Sequence, residues 1–147
     1  MNVTTDKQRG FTLIEVILVL AIAALIFLMI FVALPALQAS QRDSARRNDA
    51  GVVAAAVQSY MSTERTALTA TSDSDLQAFI SDLDQYEPSD VSVEAAATGA
   101  VTVASDQIRV YIESKCAGTE LQAGVSRSAA VVVNLEGGNG SNYCVDV

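Results

Sequence analysis

Val16–Leu37 reads VILVLAIAALIFLMIFVALPAL, 22 consecutive residues without a charged or polar side chain. As an α-helix rising about 1.5 Å per residue it spans roughly 33 Å, close to the hydrocarbon core of a bilayer. The segment is therefore long enough to cross a membrane. It also divides the chain, because a short polar stretch with Lys7 and Arg9 precedes it and an amphipathic pattern follows.

A secretory signal peptide is the competing reading, with Lys7 and Arg9 as its charged start. The apolar run exceeds the roughly 7–15 residues of an ordinary signal core. Small residues in A-x-A spacing are also missing where signal peptidase would need them, at the end of the apolar run: two positions before Ala36, Ala39 and Ser40 stand Leu34, Leu37 and Gln38. A plain membrane anchor fits the length but not Glu15, which follows Phe11, Leu13 and Ile14. An ionisable group in a bilayer costs several kcal/mol when central and less near the interface, so it marks a candidate functional position. The bland alternative is a carboxylate that snorkels to the interface.

Around this carboxylate the sequence becomes specific. Arg9-Gly10-Phe11-Thr12-Leu13-Ile14-Glu15-Val16 resembles the processing site of type IV prepilins and the related pseudopilins. In that family a short basic leader ends in Gly, the next residue is often Phe, a Glu lies at the fifth mature position, and a long apolar helix follows. The resemblance covers roughly the first 50 residues strongly and the remainder only in layout. It implies cleavage by prepilin peptidase between Gly10 and Phe11, followed by N-methylation of Phe11. Glycine suits the cleaved position because a missing side chain lets a protease approach the backbone. Cutting there creates a mostly cationic α-amino group at neutral pH. The Glu15 carboxylate would meet the Phe11 amine of a neighbouring subunit, each offsetting the other's desolvation in low dielectric. The pair would set axial register between subunits.

Two features depart from that pattern. Many relatives carry a helix-distorting Pro in the apolar helix, whereas Pro35 lies near its end, which places the expected kink further along. Three arginines (Arg42, Arg46, Arg47) follow the apolar block against two basic residues before it, so the positive-inside count does not favour a cytoplasmic N-terminus. That orientation is still expected, since the leader must reach its peptidase on the cytoplasmic side and larger domains translocate largely regardless of charge.

Composition limits what else the chain does. It has 147 residues, room for one small domain, and half are hydrophobic though only 5% are aromatic. The net charge of −8 provides no basic excess to neutralise phosphates, which argues against nucleic acid as a general partner. With no histidine, Ser-His-Asp and Cys-His systems and imidazole metal ligation are all ruled out. No catalytic constellation is visible, no cofactor is expected, and an enzyme is not the reading. Cys116 and Cys144 are not a CxxC pair. In an exported domain they read as one disulfide, and in a cytosolic protein as two buried thiols.

Beyond Leu37 the pattern turns amphipathic. Ala45, Asp49, Val52, Val53, Ala56, Val57 and Tyr60 recur at helical steps, so the helix is expected to run to about Glu64. Gln41, Arg42, Arg46, Arg47 and Asn48 are assigned to the remaining, solvated or headgroup-facing surface. Thr66–Asp75 reads as a loop. Ser72 with Asp75 suggests a capping box for a short helix marked by Leu76, Phe79, Ile80 and Leu83 and ended by Pro88. Val101–Val103, Ile108–Ile112, Ala129–Leu135 and Tyr143–Val147 read as strands, with Gly137–Gly140 a turn and Lys115–Arg127 a loop. Asp73, Asp75, Asp82 and Asp84 lack the spacing and glycine of a calcium loop. Asn139-Gly140-Ser141 is a glycosylation triplet by letter only.

The expected fold is α+β and pilin-like: a long N-terminal helix, transmembrane in its first half, packed against a small antiparallel sheet. Its divisions are a leader at 1–10, a membrane and filament-core helix at 11–37, an amphipathic half at 38–65, and a head at 66–147. The resemblance implies a subunit of a type IV pilus-like filament, with copies of itself or other pilins, the assembly machinery and the membrane as partners. It would reside in the cytoplasmic membrane before assembly and on the cell surface afterwards. A pseudopilin of a type II secretion or DNA-uptake system is the alternative. An anchored sensor or binding module is the rival from another class.

Overall fold

The structure is a computed structural model that describes residues 10–80, 86–87, 90–137 and 141–147. The expected leader with Lys7 and Arg9 lies outside the described residues, as do Asp82, Leu83, Asp84, Pro88, Asn139 and Gly140. The chain divides into two units, Met1–Leu37 and Gln38–Val147. Helix α1, Leu13–Thr63, supplies residues to both.

In the first unit the helix is almost entirely Leu, Ile, Val, Ala, Phe and Met, good or tolerable helix formers, and it carries its apolar side chains on every face. Pro35 lies inside α1, where its ring nitrogen has no hydrogen to offer the Phe31 carbonyl. The helix continues through that missing bond.

In the second unit α1 is one layer of an α+β fold. Ala50, Val53, Ala56, Val57, Tyr60 and Met61 recur at three- and four-residue steps and are buried. They pack against one face of a four-stranded sheet formed by β1 (Val91–Glu94), β2 (Ile108–Ile112), β5 (Ala129–Asn134) and β6 (Asn142–Asp146). The order is β1-β2-β5-β6, antiparallel except for the parallel edge pair β1–β2. A parallel pair needs a crossover, and residues 95–107 provide it.

That crossover was expected to hold a strand at Val101–Val103, and it does not. Gly99 makes an isolated bridge to Leu121, and the Val101 carbonyl accepts from the Asn142 side chain at 2.6 Å. Val103 is buried over the second face of the sheet, in a smaller cluster with Tyr111, Leu121, Ala130 and Val132. The segment alternates because one side covers the sheet, not because it joins a ladder.

The expected loop at Lys115–Arg127 is instead mostly a hairpin, β3 (Ser114–Ala117) with β4 (Glu120–Ala123). Glu113, at φ 49°, turns the chain out of β2 and into β3. Its amide donates to the Ser128 carbonyl and its carbonyl accepts from Gly124. A Cβ at Gly124 would displace the Ser128 hydroxyl and stand 3.0 Å from the Ser114 amide nitrogen, so the return from the hairpin is tight and favours glycine. With α1 below and the crossover and hairpin above, β5 is buried on both faces, which explains its unbroken Ala129–Val133 apolar run.

The short helix α2 (Asp73–Gln77) ends earlier than its apolar spacing suggested. Its capping box does not form. Ser72 Oγ turns back to accept from the Thr69 amide, and Asp73 accepts from Val93 of β1 instead. Phe79 lies past the helix with its ring edge-on to Tyr60, centroids 5.8 Å apart.

Candidate functional site

Gly10 lies just before α1 with open space where a Cβ would be. Phe11 is 84% exposed, and Thr12 begins the helix by accepting from the Glu15 amide at 3.1 Å and the Val16 amide at 3.4 Å. Glu15 therefore sits in the first turn, where the helix dipole favours a negative charge. The Thr12 hydroxyl donates to the Glu15 carboxylate at 3.4 Å. Phe11, Glu15 and Val19 share one face and, with Val16 and Leu20, line a shallow apolar groove that carries this single carboxylate.

Thr12-Leu13-Ile14-Glu15 has the T-x-x-E spacing of a capping box, a signal the expectation for Glu15 had not used. A first-turn position and a local hydroxyl partner lower the cost of that carboxylate within the chain itself. Among the described residues Thr12 is its one recorded side-chain partner.

Between Phe11 and Leu37 no residue is buried. One helix among the described residues is long and apolar enough to cross a membrane, and this is its apolar part. Monomeric soluble proteins rarely leave more than a few hundred Å² of contiguous apolar surface in water. A surface of this extent suits a membrane or a bundle of apolar helices.

The arginine cluster is not the uniformly solvated surface it was expected to be. Arg46 is 3% exposed, because it lies one turn before the buried Ala50 on the same face. Its guanidinium bonds the Glu136 carboxylate at 2.6 Å and the Asn134 carbonyl at 3.3 Å. Arg42 reaches the other Glu136 oxygen at 2.7 Å, and Arg47 stands 5.6 Å over the Tyr143 ring. Buried Asp43 accepts from the Glu136 and Gly137 amides at 2.7 and 2.8 Å. A Cβ at Gly137 would meet that carboxylate, at 2.7 Å. Hydrogen bonding from Arg42, with the Arg46 charge nearby, holds the Glu136 carboxyl below the ordinary carboxylate range. These residues clasp the turn after β5 onto α1. The sequence reading missed this use because the partners lie about 90 positions apart.

Cys116 and Cys144 form a disulfide that ties β3 to β6 beside the second cluster. The Cys116 amide donates to the Asp146 carboxylate at 2.6 Å. Asp73 and Asp75 lie on α2 without forming a metal-holding group among the described residues.

Residues 5–31 match the family model of the prokaryotic N-terminal methylation motif. That motif is the type IV pilin and prepilin signature, and the long apolar helix followed by a small sheet gives the chain a pilin-like α+β layout. No curated protein and no solved structure matches the chain.

Proposed function

We propose that the chain is a structural subunit of a type IV pilus-like filament, made as a precursor with a leader ending at Gly10. One observation carries the reading: the methylation motif lies at the start of a helix whose apolar residues, from Phe11 to Leu37, are nowhere buried. Prepilin peptidase cuts between Gly10 and Phe11, and Phe11 is N-methylated. The precursor is held in the cytoplasmic membrane by residues 11–37. On assembly those residues leave lipid and bundle with other subunits, residues 38–65 carry the helix into the head, and residues 66–147 coat the fibre.

Glu15 sets the register between subunits. Cleavage leaves an ammonium group at Phe11, and a carboxylate in an apolar bundle needs a cation partner to offset its desolvation. The Phe11 amine of a neighbouring subunit provides one. Helices offset from that pairing strand both charges, so the pair selects a single axial step.

The test is the mass of the N-terminal peptide in membrane and sheared-surface fractions. A chain beginning at methylated Phe11 in the sheared fraction is the expected result. Methylated Phe11 confined to membranes would move the assignment to a pseudopilin of a secretion or DNA-uptake system. An intact Met1 start would overturn processing and leave an anchored binding module.

A further inference from the structure

The sheet has two edges, and they are finished differently. On β1, the backbone groups of Ser92 and Glu94 face β2, so those of Val91 and Val93 face outward. Both are occupied. Asp73 accepts from the Val93 amide, and Gln77, one turn further along α2, donates to the Val91 carbonyl at 3.4 Å. Side chains at i and i+4 on one helix face thus engage one group on each of two edge residues that stand two apart.

The opposite edge has no such cover. Ala129 and Val147 exchange both backbone bonds, at 3.1 and 2.8 Å, which fixes the alternation along β6. Tyr143 and Val145 turn their backbone groups to β5, and Cys144 and Asp146 turn theirs outward. Among the described residues no partner meets these outward groups. The Asp146 side chain is engaged by the Cys116 amide, which leaves its backbone free.

A groove runs along this edge between α1 and β6, lined by Gly51, Ala54, Ala55 and Gln58 on the helix and by Val145–Val147 on the strand. Small residues on the helix wall leave room for side chains from a strand laid beside β6. Gly51 has open space at its Cβ position.

We infer that the β6 edge is a strand-addition site for an extended segment of a partner protein, apolar on the face toward α1 and bearing Lys or Arg on the other. Strand addition needs an open ladder and a pocket for alternate side chains, and both are present. Charge selects the occupant. Over the unit that carries both walls of the groove, Gln38–Val147, the chain holds seven basic and fifteen acidic residues, so a basic segment is attracted while the acidic head of a second copy is repelled. This site is independent of Phe11 and Glu15, and it operates whether the chain is a major filament subunit or a minor one.

The test uses the full chain in detergent micelles, with an acetylated seven-residue peptide alternating Lys and Val as probe. Its twin carries N-methyl groups on the pairing amides. Binding should slow hydrogen exchange at the Cys144 and Asp146 amides by about tenfold or more, leave Val93 unchanged, and be absent with the twin. Ala55→Arg, at an exposed helix position, should fill the groove and abolish binding while leaving the thermal midpoint unchanged. Failure to bind, binding without protection at Cys144 and Asp146, or binding that survives Ala55→Arg would each overturn the inference. So would protection that rises with protein concentration alone, which would assign the edge to a second copy.

Discussion

Two halves of one helix obey opposite rules. From Leu13 to Leu37 every position is apolar except Glu15, and none is buried. From Gln38 to Thr63 polar and apolar positions alternate around the helix, and one face is sealed against a sheet. Amphipathicity is the mark of a helix that already has its partner within the chain, and uniform apolarity that of a helix whose partner is elsewhere. Substitutions in the first half should therefore be read in membranes and filaments, and those in the second half in the melting of the head.

The sharpest break of that comparison is Glu15→Ala. It removes the only charge of the first half, whose recorded partner is Thr12 of the same unit, so the thermal midpoint of the head should not move. Cleavage should proceed, but incorporation into fibres beside wild-type subunits should fall to nothing measurable. Normal fibres from this variant would remove Glu15 from register-setting and leave it a local helix-start carboxylate held by Thr12.

The next largest effect belongs to the second half's outer layer. Replacing Cys116 and Cys144 by Ser should lower stability by about 3–4 kcal/mol in the chain-entropy account of a 28-residue separation. Hydrogen exchange should rise first in the crossover and in β3–β4, while β5, buried on both faces, keeps its protection. Equal loss in β5 would mean that the outer layer and the sheet form one cooperative unit.

A matched pair of valines sharpens the contrast directly. Val57 is fully buried, so Val57→Ala should cost about 1–2 kcal/mol through lost burial and the cavity left behind. Val32 is 74% exposed, and Val32→Ala should leave the melting of the head unchanged. Both are read by thermal denaturation of the full chain in detergent. A comparable loss at Val32 would show that the first half contributes to folding of the head.

The two halves also differed in how far they were legible. The first half is local information: an apolar run, a carboxylate at a fixed distance from Phe11, and a glycine before it. The α1 face from Val53 to Tyr60 and the strands at Ile108–Ile112 and Ala129–Leu135 were legible for the same reason, because periodicity is a nearest-neighbour property. What escaped depended on distant partners. Arg46 looked solvated because nothing near it in sequence hints at Glu136. Val101–Val103 alternates like a strand but covers a face. The β3–β4 hairpin was obscured because half of its sequence, SKCAGTELQA, is polar and most of it is exposed. Ser72 and Asp75 had the spacing of a capping box, but Thr69 supplies a nearer donor for the Ser72 hydroxyl.

The smallest expected effect tests whether the clasp at the start of the second half is electrostatic. Glu136 has a folded-state pKa lowered first by the Arg42 hydrogen bond and then by the Arg46 charge. A lowered carboxyl contributes stability that is fully present above its unfolded value and is lost as pH falls through its folded value. Wild type should therefore melt above Glu136→Gln near about pH 6, and the gap should close as pH is taken to about 3. Glutamine keeps the shape and one acceptor oxygen, so a gap that persists unchanged at low pH would assign the clasp to hydrogen bonding and to Asp43's hold on the Glu136 and Gly137 amides. Salt separates the same alternatives: the Arg42 contact is about half exposed and should weaken as ionic strength rises, while the buried Arg46 contact should not. If the gap closes with acid but resists salt, Arg46 rather than Arg42 carries the clasp, and the second half of α1 is held to its sheet by a charge that the helix itself buries.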